Sequence, residues 1–168
     1  MKIDEYASLL NQRFEKYFDV LDCNTWKEKA YDIAAQYTAR ESQTILSKEN
    51  VMDYYDSKEI CLVSFNADPA FIKMELAVLP ELTLGSAEPS RHHKSTVITR
   101  VFVTESPEKE AVRLIKRFRF NKAFRFYFWG YAECKTILVD LVSCKVYANQ
   151  AGRIERKIFV PALSRDKS

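Results

Sequence analysis

The sequence predicts an α+β fold: one domain with a mostly antiparallel sheet, an N-terminal helix, and two further helices packed on one face of the sheet. Three observations predict it. Apolar residues recur at steps of three and four from Ile3 to Leu21, strand-like alternation dominates much of the remaining chain, and 168 residues with only 3 Gly and 5 Pro leave room for one core and short loops. A hydrophobic content of 47% with 13% aromatics far exceeds that of a disordered chain. We assign the domain to residues 1–163 and a frayed tail to 164–168.

Ile3, Tyr6, Leu10, Phe14, Tyr17 and Leu21 form one stripe, widened by Leu9 and Phe18, which predicts an amphipathic helix of about five turns. Asp22, Asn24 and Thr25 then supply a turn. Residues 26–47 carry two patterns: Trp26, Ala30, Ile33 and Tyr37 have helical spacing, whereas Tyr31, Ile33, Ala35, Tyr37 and Ala39 alternate. We favour strands over about 31–39 and 43–46. VMDYYDSKEICLVSF reads as two strands around Asp56-Ser57-Lys58.

Asp68-Pro69 opens a helix filled by Phe71, Ile72, Met74, Leu76, Ala77 and Leu79 and ending before Pro80. LTLGSAEPSRHHKS is the longest loop. STVITRVFVTE alternates as a strand, and Ser106-Pro107-Glu108 caps a helix whose face is Ala111, Leu114, Ile115 and Phe118. Three more strands are expected at about 123–131, 135–142 and 145–149. In the first, Phe124, Phe126 and Phe128 would enter the core, contributing about 1.5 to 3 kcal/mol each, while Arg125, Tyr127, Trp129 and Tyr131 share the other face.

Charge and motifs narrow the function. Residues 1–90 hold 9 Lys/Arg and 16 Asp/Glu, whereas residues 91–168 hold 17 and 7, so the second half can attract an anionic partner. Met1 is followed by a charged amphipathic run with no apolar leader core, and no stretch approaches about 18 uninterrupted apolar residues. We therefore expect a cytoplasmic protein with no membrane partner. Cys23, Cys61, Cys134 and Cys144 form no CxxC pair and no zinc-type spacing with histidine, and read as small buried side chains; neither a metal nor a cofactor is expected. No P-loop, GxGxxG or GxSxG occurs, which lowers the prior for an enzyme.

Two regions could carry chemistry. RLIKRFRFNKAFRFYFWGY, residues 113–131, interleaves cations and rings, so Arg113, Arg117, Arg119 and Arg125 with Tyr127 and Trp129 form a candidate surface for an anionic ligand or nucleic acid. KAFRFYFW shares Lys122, Phe124 and Phe126 with the RNP1 motif of RNA-recognition domains, but Ala123 and Arg125 replace its small positions, and only one helix separates it from VFVTE; that family is rejected. The second region, Arg91-His92-His93-Lys94, holds both histidines. With Asp140 in ILVDLV, His92 and His93 are the candidates for an unfamiliar catalytic site. A third alternative is a structural module, with the aromatic face meeting a protein partner or a second copy.

The order YDIAAQY, YYDSKEICLV, HHKSTVITRVFV, RFNKAFRFYFWGY, ILVDLVSCKVYAN and AGRIERKIF resembles a family of small uncharacterised bacterial proteins, a domain of unknown function, over roughly residues 30–159. The resemblance implies a bacterial cytosolic setting and transfers no activity or site residue.

Overall fold

The computed structural model describes residues 1–21, 25–27, 29–44 and 52–161. Its elements run α1 (Ile3–Phe14), β1 (Asp19–Val20), β2 (Thr25–Trp26), β3 (Lys29–Ala30), β4 (Ile33–Thr44), β5 (Met52–Phe65), α2 (Pro69–Leu84), β6 (His93–Thr104), α3 (Lys109–Arg117), β7 (Asn121–Ala123), β8 (Tyr131–Asp140) and β9 (Lys145–Ala148), with a short 3-10 turn at Glu155–Phe159. The main sheet has the order β1-β4-β5-β6-β8-β7, and β9 extends the β8 edge beside β7. It is a single α+β domain with a mixed sheet. The outer pairings are antiparallel, while β5, β6 and β8 lie parallel at the centre because α2 and α3 each return the chain across the sheet.

Strand alternation divides the core into two layers. Val63, Val101, Val103, Ile137 and Val139 face α1, whose Tyr6, Leu10 and Phe14 are fully covered. On the other side Leu62, Ile98, Phe102 and Leu138 meet α2 and α3 through Ile72, Leu76, Leu79 and Ile115. Two charged side chains, paired with each other, are buried in this second layer. Arg100 of β6 is 1% exposed and bonds Glu75 of α2, itself contacted by Lys29 of the β2–β3 hairpin.

Several expected boundaries move. The first helix stops at Phe14, because Phe18 continues the stripe only as a ring packed 5.5 Å from Phe14, and Val20 pairs with Ala35. Residues Ile33 to Thr44 form one strand rather than two, bonded along its length to β5. Asp56-Ser57-Lys58 is no turn. The triplet continues β5, held opposite β4 by a two-point Arg40–Asp56 ion pair at 2.8 and 3.0 Å. The α2 helix runs through Pro80 to Leu84; the start is as expected, with the Asp68 carboxylate accepting from Phe71 N–H at 2.7 Å. Residues 22–24, 45–46 and 164–168, for which a turn, a strand end and a tail are expected, lie outside the described residues.

Cys61 and Cys134 are buried, but Cys144 is exposed in the β8–β9 turn. Burial pushes the Cys61 thiol well above its ordinary value and that of Cys134 up to about 12. Iodoacetamide at pH 8 is therefore expected to modify Cys144 in the native protein and to reach Cys61 and Cys134 only in denaturant, as read by peptide mass spectrometry.

Candidate functional site

The aromatic stretch departs most from its expected form. Only Asn121–Ala123 is a strand; Ala123 pairs with Tyr131, so residues 124–130 must reverse the chain between antiparallel neighbours. They do so with Arg125, Phe126 and Tyr127 at φ 46, 53 and 70°, a left-handed run without a glycine until Gly130 at φ 75°. Phe124 N–H donates to the Gly130 carbonyl at 2.9 Å, Trp129 N–H to Phe124 at 3.1 Å, and Phe128 N–H to Arg125 at 3.0 Å. Phe126 and Phe128 are thus 91% and 81% exposed, which overturns their expected burial in the core. Arg125 lies 3.9 Å over the Trp129 ring, and Tyr127 leans against Tyr131.

This turn is fastened to the histidine loop. His93 Nδ1 lies 2.7 Å from the Trp129 carbonyl, which can only accept, so Nδ1 carries the proton and Nε2 faces Thr96 Oγ1 at 2.9 Å. The Phe124 ring meets the imidazole edge-on. His92 stacks 4.1 Å from Tyr54, its Nδ1 on the Tyr54 carbonyl and its Nε2 accepting from Arg91. Both imidazoles border a hollow of about 500 Å³ with Asp56, Lys58 and Glu88, beside a register irregularity of β5 against β6. Arg40's hydrogen bonds hold the Asp56 carboxyl below its usual range.

Asp140 is not part of that hollow. It pairs with Thr104, whereas Ser95, next to the histidine loop, pairs with Tyr131, nine residues and about 30 Å away along β8. Its carboxylate is occupied by the N–H groups of Val142 and Ser143 and by the Ser143 hydroxyl, which cap the β8–β9 turn. Among the described residues no three His, Cys, Asp or Glu side chains converge as a metal site would need.

The arginines divide between two surfaces. Arg113 and Arg117 rim a shallow apolar hollow of about 330 Å³ between α2 and α3, with Lys73 on its opposite side. Arg119 instead joins Lys116, Lys145, Arg153 and Arg156 around a groove of about 580 Å³ beside β9, with Tyr147 in its wall. None of the described residues lining this groove is acidic, and among the described residues none of its five cations makes an ion pair. Lys145, Arg153 and Arg156 were not identified from sequence. The charge surplus of residues 91–168 was the available signal, but the groove draws on α3, β9 and the segment after it, which no local motif links.

Among the described residues no helix is long and apolar enough to cross a membrane. No curated protein and no solved structure gives a significant match to the chain. Residues 2–161, nearly its whole length, match the family described as Domain of unknown function (DUF8052), and the chain belongs to that family.

Proposed function

We propose that the chain is a non-enzymatic binding module that holds an anionic ligand, nucleic acid foremost, on its basic edge, in a bacterial cytosolic setting. The observation that carries this reading is the groove beside β9, where five cations gather with no carboxylate in the described lining. Like charges held together raise their own energy, and a polyanion that neutralises them releases its counterions on binding. Arg125, Tyr127 and Trp129 lie along the same side of β8 and extend the surface.

Fluorescence anisotropy with a labelled mixed-sequence oligonucleotide tests it. With all five cations engaged, the log–log salt slope on a single strand is about −3.5, or roughly 100-fold weaker binding at 200 mM than at 50 mM salt. Lys145→Glu with Arg153→Glu and Arg156→Glu is expected to abolish binding while leaving the circular dichroism spectrum unchanged. Absence of saturable binding by the parent would sink the reading.

Exposed Phe126 and Phe128 favour self-association as a second reading. Light scattering would then report a stable oligomer that Trp129→Ala disrupts. An enzyme built on His92 and His93 would have to act without Asp140.

A further inference from the structure

We infer that the ligand of the basic edge is single-stranded nucleic acid, its phosphates in the groove beside β9 and its bases stacked on the turn formed by Phe126, Tyr127 and Phe128. This rests on the anion-binding reading above and adds the ligand class.

The turn carries the argument. Phe126, Tyr127 and Phe128 are 91%, 62% and 81% exposed, and the backbone at Arg125, Phe126 and Tyr127 adopts a conformation that disfavours side-chain-bearing residues. Both features oppose stability; polar side chains would avoid the first, and glycine or asparagine the second. The conformation is nonetheless firmly set by four backbone hydrogen bonds, the Arg125–Trp129 stack and the His93–Trp129 bond. A strained, clamped turn that displays rings to solvent is organised for a partner with flat apolar faces. Nucleobases fit, since each stacks on an aromatic ring irrespective of sequence.

The spacing suits a single strand running along the edge. Lys145 pairs with Asp140 and Ala123 with Tyr131, so the far end of the groove lies about 30 Å along β8 from the base of the turn. That is nearly four Debye lengths of about 8 Å at physiological salt. A polymer running along the edge reaches both ends. Arg119 and Gln150 border the groove and also the adjoining hollow, which reaches Asn121 at the start of β7. The hollow's carboxylate, Glu133, faces the Asn121 side-chain amide at 3.4 Å, so this middle section would receive bases or sugars more readily than phosphates. Thirty ångströms corresponds to about nine nucleotides at stacked spacing, inside the usual range of about 4–16 per site. A duplex hides its base faces and gains nothing from the rings.

The test compares a 12-nucleotide single strand, the same sequence as duplex, heparin, and vesicles rich in phosphatidylserine. The proteins are the parent, the turn variant Phe126→Ser/Phe128→Ser, and the groove variant Lys145→Glu/Arg153→Glu/Arg156→Glu. The parent is expected to bind the single strand at least tenfold more tightly than the duplex. The turn variant should lose that preference, by tenfold or more, while its heparin affinity and circular dichroism stay at parent level. Equal single-strand affinity of parent and turn variant, or ring-dependent vesicle binding without single-strand preference, overturns the inference and leaves the groove reading intact. No loss on any polyanion in the groove variant overturns the reading beneath it as well.

Discussion

Glu75→Ala is expected to lower the melting temperature by about 6–20 °C, the largest effect of any single side-chain truncation proposed for this protein. Arg100 is 1% exposed, and all five of its N–H donors are used: Nε and one Nη2 proton on Glu75 Oε2 at 3.1 and 3.0 Å, the other on Ser64 Oγ at 2.7 Å, and Nη1 on the Leu62 and Val101 carbonyls. Its plane also lies 4.4 Å from the Phe102 ring centre. Removing Glu75 leaves a buried cation without a counter-charge, at a cost of about 3–5 kcal/mol, and each kcal/mol shifts the midpoint by about 2–4 °C at this chain length. Burial already pushes the Arg100 guanidinium below its usual value, and the Glu75 carboxylate opposes that shift. The double variant Arg100→Met/Glu75→Leu is expected to recover most of the loss, because it removes both charges together. Thermal unfolding followed by circular dichroism measures all three proteins; equal midpoints for parent and Glu75→Ala would refute the account.

Gly130→Ala is expected to cost about 2–4 kcal/mol and to release the aromatic turn. A Cβ there would stand 2.4 Å from the Lys94 carbonyl oxygen, 2.5 Å from that of His93 and 2.6 Å from His93 Nδ1, at a φ of +75°. Two of those atoms are backbone of the central strand β6, so the turn must lift away, breaking the His93–Trp129 bond. Trp129 emission should shift to the red, and the His93 ring Nδ1–H should lose its protection in NMR. Gly85→Ala is the control. Gly85 has an ordinary φ of −68° and a nearest Cβ contact of 3.4 Å, so its change should be neutral or stabilise by up to about 1 kcal/mol.

The contrast between α2 and the aromatic turn explains what the sequence made legible. Asp68-Pro69 announces a helix start because the capping chemistry is local: one carboxylate and one restricted φ. The other end of α2 is decided by tertiary contacts. Pro80 deletes one backbone donor, yet Leu79 and Thr83 are buried on either side of it and the Thr83 hydroxyl bonds the Leu79 carbonyl, so the helix continues. In residues 124–129 a run of rings broken only by Arg125 mimics a strand, and none of the usual turn formers interrupts it. Only the need for β7 to meet β8 in antiparallel register forces the reversal, and that need is invisible until the sheet order is known. The basic half of the chain was readable as composition. Its concentration beside β9 was not, since Lys116, Lys145 and Arg153 meet only through the fold. The histidine loop and the aromatic stretch, well apart along the chain, prove to be neighbours through His93 and Trp129.

The central position of β6 also bears on how the chain is made. Ser95 and Tyr131, partners in the β6–β8 ladder, are separated by 36 residues, so a nascent chain holds β6 without its second neighbour while α3 and β7 are synthesised. At about 5–20 residues per second this lasts roughly 2–7 s. For that time Val97, Ile98, Val101, Phe102 and Val103, all buried in the finished protein, border an unpaired strand edge of high β-propensity. This stretch is where translating ribosomes are expected to recruit a chaperone, and where slowed synthesis or loss of that chaperone would first produce aggregates.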